Sequence, residues 1–395
     1  MRFQPLRITA FTVCSAAGDG RDATLQSLRT RRGGLTPNDF GATPLPTWIG
    51  RVPGLETDPL PAHLSAWECR NNRLAWRGLC SDGFLEAVAA ARARYGAKRI
   101  VVVVGTSTSS IGASEEAYTR LEPDGSYPPD LRRSIIHTPH SLGDFVQHAL
   151  QLSNTSVTVA TACSSSAKVF AQAERLIRCG LADAAVVGGV DTLCGSVLFG
   201  FNSLELVSPD KCQPFDVARH GINLGEAAGF ALLECEAPSG SWLLGYGESN
   251  DAYHMSTPHP EGRGARLAVQ EALRRAEMSA DQVDYINLHG TASHKNDEVE
   301  ALVVAATFPG STFASSTKGW TGHTLGAAGI VEAAISLLAL EHGLLPGTLN
   351  LDSPDPVCGP QIQAGNAQRD VRRALSFSFG FGGSNCVLAF GRSDL

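Results

Sequence analysis

Five short apolar runs, each breaking off at glycine or a small polar residue, most constrain how this chain can fold: "RIVVVVGTSTSS", "TSVTVATACSSS", "AAVVGGVD", "VDYINLHGT" and "RALSFSFGFGG". Runs of this length, rich in β-branched residues and lacking polar alternation, read as strands buried on both faces. Between several of them lie stretches with helical spacing of apolar residues, at 82–95, 167–178, 264–276 and 326–340. Such alternation builds an α/β protein, whose chemistry gathers at the carboxyl ends of its strands. Cys163, His289 and the "GFGG" at 380–383 all follow strands directly.

A Pro/Gly/Ser seam, "CEAPSGSW" at 235–242, parts the chain into two unequal halves, 1–237 and 238–395, closing on the strand-like runs "GFALLE" and "CVLAF". This predicts two fused α/β halves, with similarity between them too faint to define a repeat. At 395 residues and 43% hydrophobic content, the chain can bury one large core or two fused ones. Residues 33–62, rich in Pro, Gly and Thr, read as an irregular surface excursion.

The formal charge of -7 excludes a general nucleic-acid binder, and an acidic partner must meet a local basic patch. Arg70, Arg73 and Arg77, at helical spacing, are either a solvated face or such a patch. Ten cysteines without a CxxC pair suit a reducing compartment, which places the protein in the cytoplasm. The first twenty residues superficially resemble a signal peptide, but their apolar stretch is short, broken by Thr and Cys, and ends in a Gly-Asp-Gly turn. They are expected to form a first strand. No run of about 18 apolar residues is present, so no membrane span is expected.

In "TVATACSSSAKVF", Cys163 falls where strand gives way to tight turn and helix. Unpaired N–H groups and the dipole at a helix N-terminus would lower its pKa from about 8.5 and favour a thiolate nucleophile. The alternative is a small buried residue. Two glycine-flanked histidine motifs bear on the choice: "NLHGTASHKND" with His289, and "STKGWTGHTLGAAGIVEA" with Lys318, His323 and Glu332. One thiol with two imidazoles is a nucleophile with two donors able to stabilise charge developing on a carbonyl oxygen. A Cys-His hydrolase needs only one histidine and an orienting Asn or Asp. The other candidate histidines, 137, 140, 254, 259 and 294, show no zinc spacing, and no metal is expected.

"TACSSS", "PFDVARHGINLGEAAG", "LHGT…ND", "STKGWTGHTLGAAG" and "FSFGFGGSN" resemble, in this order, the motifs of the β-ketoacyl-acyl carrier protein synthases. The resemblance is dense over 157–390 and implies a thiolase-like layered α-β-α-β-α fold of two pseudo-symmetric halves. It implies decarboxylative condensation of an acyl thioester with malonyl-acyl carrier protein. Cys163 would be the acyl-accepting nucleophile, His289 and His323 would bind the malonyl thioester carbonyl, and Lys318 and Glu332 would form a supporting ion pair. The oxyanion hole would be the N–H groups of Cys163 and Phe381, with Phe381 gating the acyl pocket. Thr291 and Ser293 would hold the phosphopantetheine arm, and Thr108, Phe379 and Gly382 would complete the substrate-binding set.

Ser293 replaces the family's commoner threonine, Ala227 in "GEAAG" replaces a glycine, and Thr108 stands where glycine or a larger apolar residue is often found. With "CRNNRLAW", "SNDAYHMSTPHPEG" and "GFNSLELVSP", these features look most like the ketosynthases of bacterial aryl polyene pathways, with a preference for unsaturated chains. The resemblance implies no cofactor beyond the carrier protein's phosphopantetheine. It implies a dimer, either of two copies or with a chain-length-factor-like homologue. The competing readings are a housekeeping fatty-acid elongation synthase and a non-catalytic chain-length-factor-like subunit, which would lack the cysteine. A thiolase would need a second catalytic cysteine, and Cys386 lies in the wrong motif context.

Overall fold

The computed structural model describes residues 3–395. One mixed sheet of eleven strands has ten in its main path: β1 Leu6–Ser15, β2 Ile100–Gly105, β3 Ser156–Val159, β4 Ala184–Asp191, β5 Ala227–Glu234, β6 Ser241–Asn250, β7 Tyr285–Leu288, β8 Phe313–Ser316, β9 Arg373–Gly380 and β10 Ser384–Gly391, with the short Gly18–Asp19 paired to the end of β1. Their order is β8-β7-β9-β10-β6-β1-β5-β4-β2-β3. Outward from the β6–β1 junction the two sides repeat each other, β1-β5-β4-β2-β3 against β6-β10-β9-β7-β8. Each side makes two antiparallel pairings and then two parallel ones. A repeat invisible in the residues is thus plain in the topology. The junction is narrow, with Leu6, Arg7 and Ile8 facing Leu243, Trp242 and Ser241.

Six helices bear on the site: α1 Arg70–Leu79, α2 Phe84–Tyr95, α3 Ser165–Arg178, α4 Arg263–Arg275, α5 His294–Thr307 and α6 Ala328–His342. α1 and α2 cover the outer face of one half and α4 that of the other, while α3 and α6 pack together between the two halves of the sheet. The result is the layered α-β-α-β-α fold. α6 is apolar all round and every residue from Ala328 to Leu340 is buried, as a helix in a middle layer requires. Leu325–His342 is the one stretch among the described residues long and apolar enough to cross a membrane, and 89% of it is buried inside the protein.

At the crossing of α3 and α6 the backbones nearly touch: a Cβ on Gly329 would lie 2.5 Å from the Ala167 nitrogen. That approach brings together the turns preceding the two helices, one carrying Cys163 and the other Lys318 and His323.

Two expectations need correction. β3 is partly exposed at all four residues, because it ends the sheet and no strand among the described residues covers its outer edge. Residues 33–62 are more than a surface excursion. Trp48–Gly50 forms a strand whose Ile49 and Gly50 pair in parallel with Leu224 and Gly225, and Ile49 is fully buried. Leu224 in turn bridges His323, so this segment props the site from below.

Gly329→Ala is expected to cost about 1–3 kcal/mol, because the added methyl group forces α3 and α6 apart. Urea denaturation should show a lower midpoint with an unchanged slope.

Candidate active site

Cys163 sits in the turn between β3 and α3, one residue before the helix cap Ser164. Ala162 adopts a left-handed φ of 52°, held by Ser165, whose hydroxyl donates to the Ala162 carbonyl and accepts the Thr161 N–H. This sharp turn puts the sulfur at the wall of a cavity of about 200 Å³.

His289 follows β7. Its backbone turn is fixed by Glu300 of α5, which accepts the N–H groups of His289 and Gly290, each at 2.7 Å. Burial pushes the Glu300 carboxyl up to about 8. Lys318, after β8, donates its ammonium to the His289 carbonyl and to Glu332 of α6, and lies 3.3 Å from His289 Nδ1. An ammonium has only hydrogens to offer, so His289 Nδ1 accepts and the ring proton resides on Nε2.

His323 Nε2 lies 3.0 Å from Cys163 Sγ, and the two imidazoles meet edge to face at 5.3 Å between centroids. Burial, and then the Lys318 charge, hold both histidines well below the usual imidazole pKa, so both are neutral at physiological pH. Burial raises the Glu332 carboxyl, with Lys318 opposing.

The thiol departs from expectation. Burial pushes Cys163 up to about 12, against the Lys318 charge and the Phe381 N–H aimed at the sulfur. Loss of water outweighs the helix N-terminus, because Cys163 lies outside the helix and is only 4% exposed. The resting nucleophile is therefore a neutral thiol beside a base.

Thr291, Ser293, Phe379 and Phe381 line the same cavity. The Thr291 and Ser293 hydroxyls bond each other at 2.9 Å, and the Phe381 ring leans on Phe201 with centroids 5.6 Å apart. Gly382 faces away. It is exposed at φ 75°, its N–H donates to the Met255 carbonyl, and its own carbonyl accepts from Asn250, so it serves the turn. Thr108 does not line this cavity either, because its hydroxyl turns to Asp191 at 2.8 Å.

The three arginines form neither a solvated face nor a free docking patch. Arg70 holds the buried Glu226 of "GEAAG" through two nitrogens and also pairs with Glu56. Arg73 binds Glu68 and the carbonyls of Leu55 and Glu56, and Arg77 binds Asp19 and the Pro53 carbonyl. Their charges are spent stapling α1 to its neighbours.

Motif reading missed Phe201, Ile222 and Asn296 in the cavity wall, and Asp191 and Glu300 behind it. The stretch "GFNSLELVSP" held the signal for Phe201. The ligand atoms of Cys163, His289 and His323 lie within 4.8 Å of one another, close enough to surround a metal ion, but the ammonium against His289 opposes a cation there. His137 and His140 are occupied elsewhere, by Ser114 and by Thr158.

The chain matches two family profiles in succession, "Beta-ketoacyl synthase, N-terminal domain" over residues 73–238 and "Beta-ketoacyl synthase, C-terminal domain" over 241–352. The chain belongs to the β-ketoacyl synthase family. This synthase is 34% identical to Nodulation protein E of Rhizobium meliloti (strain 1021), over 74% of this chain and 76% of that one. It is 30% identical to 3-oxoacyl-[acyl-carrier-protein] synthase 2 of Coxiella burnetii (strain RSA 493 / Nine Mile phase I), over 98% of both. Among solved structures it superposes with a TM-score of 0.88 on the chain titled "Ketosynthase (ApeO) in Complex with its Chain Length Factor (ApeC) from Xenorhabdus doucetiae". That match is 36% identical and covers 99% of this chain and 98% of that one. The synthase is a condensing enzyme, an acyltransferase that forms a carbon–carbon bond between thioesters.

Arg70→Ala should destabilise the synthase by about 3 kcal/mol by leaving the Glu226 carboxylate buried without its ion pair, as chemical denaturation would register. A thiol raised by burial offers thiolate only at high pH. Alkylation of Cys163 by iodoacetamide should therefore keep climbing above pH 9 rather than level off between pH 7 and 8, followed by mass spectrometry of the peptide.

Proposed function

We propose that this ketosynthase extends an acyl chain held on Cys163 with malonyl units delivered by acyl carrier protein, in a pathway of the aryl polyene type and beside a chain-length-factor-like partner. One observation carries the chemistry: a thiol 3.0 Å from one neutral imidazole and a second imidazole whose tautomer is set by a buried lysine, around one cavity.

The Cys163 sulfur attacks the incoming thioester, and its proton passes to the departing pantetheine thiolate with His323 placed to relay it. His323 Nδ1 is buried without a partner, so nothing ties this ring to one tautomer, and it can accept in this step and donate in the next. Malonyl thioester then enters past Thr291 and Ser293. Its carbonyl oxygen accepts hydrogen bonds from the two imidazoles, the bond to the carboxylate breaks, and carbon dioxide leaves an enolate whose charge those donors hold. The enolate carbon attacks the Cys163 thioester. The resulting oxyanion meets the N–H groups of Cys163 and Phe381, and collapse expels the sulfur as thiolate, which takes up a proton from solvent by way of His323. Covalent capture splits one hard step into two, and the shared cavity supplies proximity. These residues relay protons and hold the developing charge, with one proton drawn from solvent per condensation, so no resident cofactor is proposed.

Similarity along nearly the whole chain to ApeO, a ketosynthase in complex with its chain length factor, supports the aryl polyene reading and a partner of that kind. Thr108, turned toward Asp191, no longer adds to it. The open edge of β3 supports a second subunit there, since an uncovered strand edge is a ready pairing surface. Cys163 argues against a scaffold role for this chain. The turn joining β5 to β6 supports a boundary between halves near residue 237, and ten unpaired thiols support a cytoplasmic setting.

With malonyl- and polyenoyl-carrier protein, Cys163→Ala should release carbon dioxide without forming a ketoacyl product. His289→Ala should lower decarboxylation by about 10²–10³-fold. Condensation by the Cys163→Ala enzyme would sink the mechanism. Equal elongation of a saturated chain by the protein alone, with no gain from a partner, would sink the pathway.

A further inference from the structure

We infer that Asp191, at the end of β4, is the positioning residue that aims His323 at the reacting atoms. The inference rests on the role proposed above for His323. Unlike His289, His323 has no side chain behind its ring, for Nδ1 is buried and unpartnered. Its direction is therefore inherited from its backbone. Upstream, the His323 N–H donates to the Asn223 carbonyl at 2.7 Å and its carbonyl accepts the Gly225 N–H at 3.0 Å. Downstream the turn passes through Leu325 at a left-handed φ of 56°, a conformation a branched side chain keeps only when held there. It is then caught by Asp191, whose Oδ2 accepts the Gly326 N–H at 2.7 Å.

Asp191 is itself immobilised, being fully buried. Its carboxylate accepts the Thr106 hydroxyl at 2.6 Å, the Thr108 hydroxyl at 2.8 Å and the N–H groups of Ser107 and Thr108. Every neighbour at hydrogen-bonding distance is a donor, a demand that only an acceptor-only carboxylate meets. Gly326 is required as well: a Cβ there would lie 2.6 Å from both Asp191 Oδ2 and the Ser107 nitrogen. Thr108 thus acts through Asp191 rather than by lining the cavity.

Asp191→Asn keeps the shape but turns an NH₂ group against donors. It should lower kcat for decarboxylation of malonyl-carrier protein by about 10–100-fold, with KM changed less than about threefold. Gly326→Ala, which retains the carboxylate, should give the same pattern if the first variant fails to fold. In a His323→Ala background, Asp191→Asn should cost nothing further, because the ring it positions is gone. The rate of Cys163 alkylation by iodoacetamide gives a readout independent of turnover. It should shift in Asp191→Asn in the same direction as in His323→Ala, with no added shift in the double variant. Unchanged kcat in both single variants, or an equal loss in the His323→Ala background, would overturn the assignment. A wild-type protein that does not decarboxylate would overturn the proposed function, and the alkylation series would still decide the role of Asp191.

Discussion

Lys318 carries its ammonium into the middle of the protein, where it meets the Glu332 carboxylate on one side and the carbonyl and ring of His289 on the other. Burying two charges is costly and is sustained only by close geometry and further hydrogen bonds. The site uses that arrangement three times over. The ammonium sets the His289 tautomer, helps keep both imidazoles neutral, and partly offsets the effect of burial on the Cys163 thiol. Glu332 lies on α6, so the pair also ties the site to the central helix.

The doubled topology explains why these groups converge. Cys163 follows β3 and precedes α3, while Lys318 and His323 follow β8 and precede α6, the equivalent connection in the other half. Where α3 and α6 cross at Ala167 and Gly329, the two connections face each other across a contact too close for a side chain. One half thus supplies the nucleophile and the other the imidazoles and the lysine, and neither half alone contains a complete site.

Much of this was legible beforehand. The apolar runs marked β2, β4, β7 and β9, and the helical spacings marked α2, α3, α4 and α6, because buried strands and helices need unbroken apolar residues or apolar stripes. Cys163, His289, Lys318, His323 and Glu332 stood out because each sat in a motif next to glycine or small residues at a strand end or helix start. The arginines of α1 misled. Their helical spacing is visible in sequence, whereas the carboxylates they bind come from residues 19, 56, 68 and 226. The bond from Thr108 to Asp191 was hidden for the same reason, since Asp191 lies far along the chain at the end of β4.

The sequence by itself determined which elements form and which residue types carry the chemistry, since strand pattern, helix pattern and local motif are properties of short stretches. The tertiary structure alone decided the ionisation of those residues. The Cys163 thiol lies at a helix start that would favour a thiolate, yet it is held protonated because folding removes the water around it, and that loss outweighs the local dipole. Folding also decided which histidine has its proton fixed by Lys318 and which is held through its backbone and a distant carboxylate. Such properties depend on distances between residues far apart in the chain, and those distances exist only once the two halves have closed on each other.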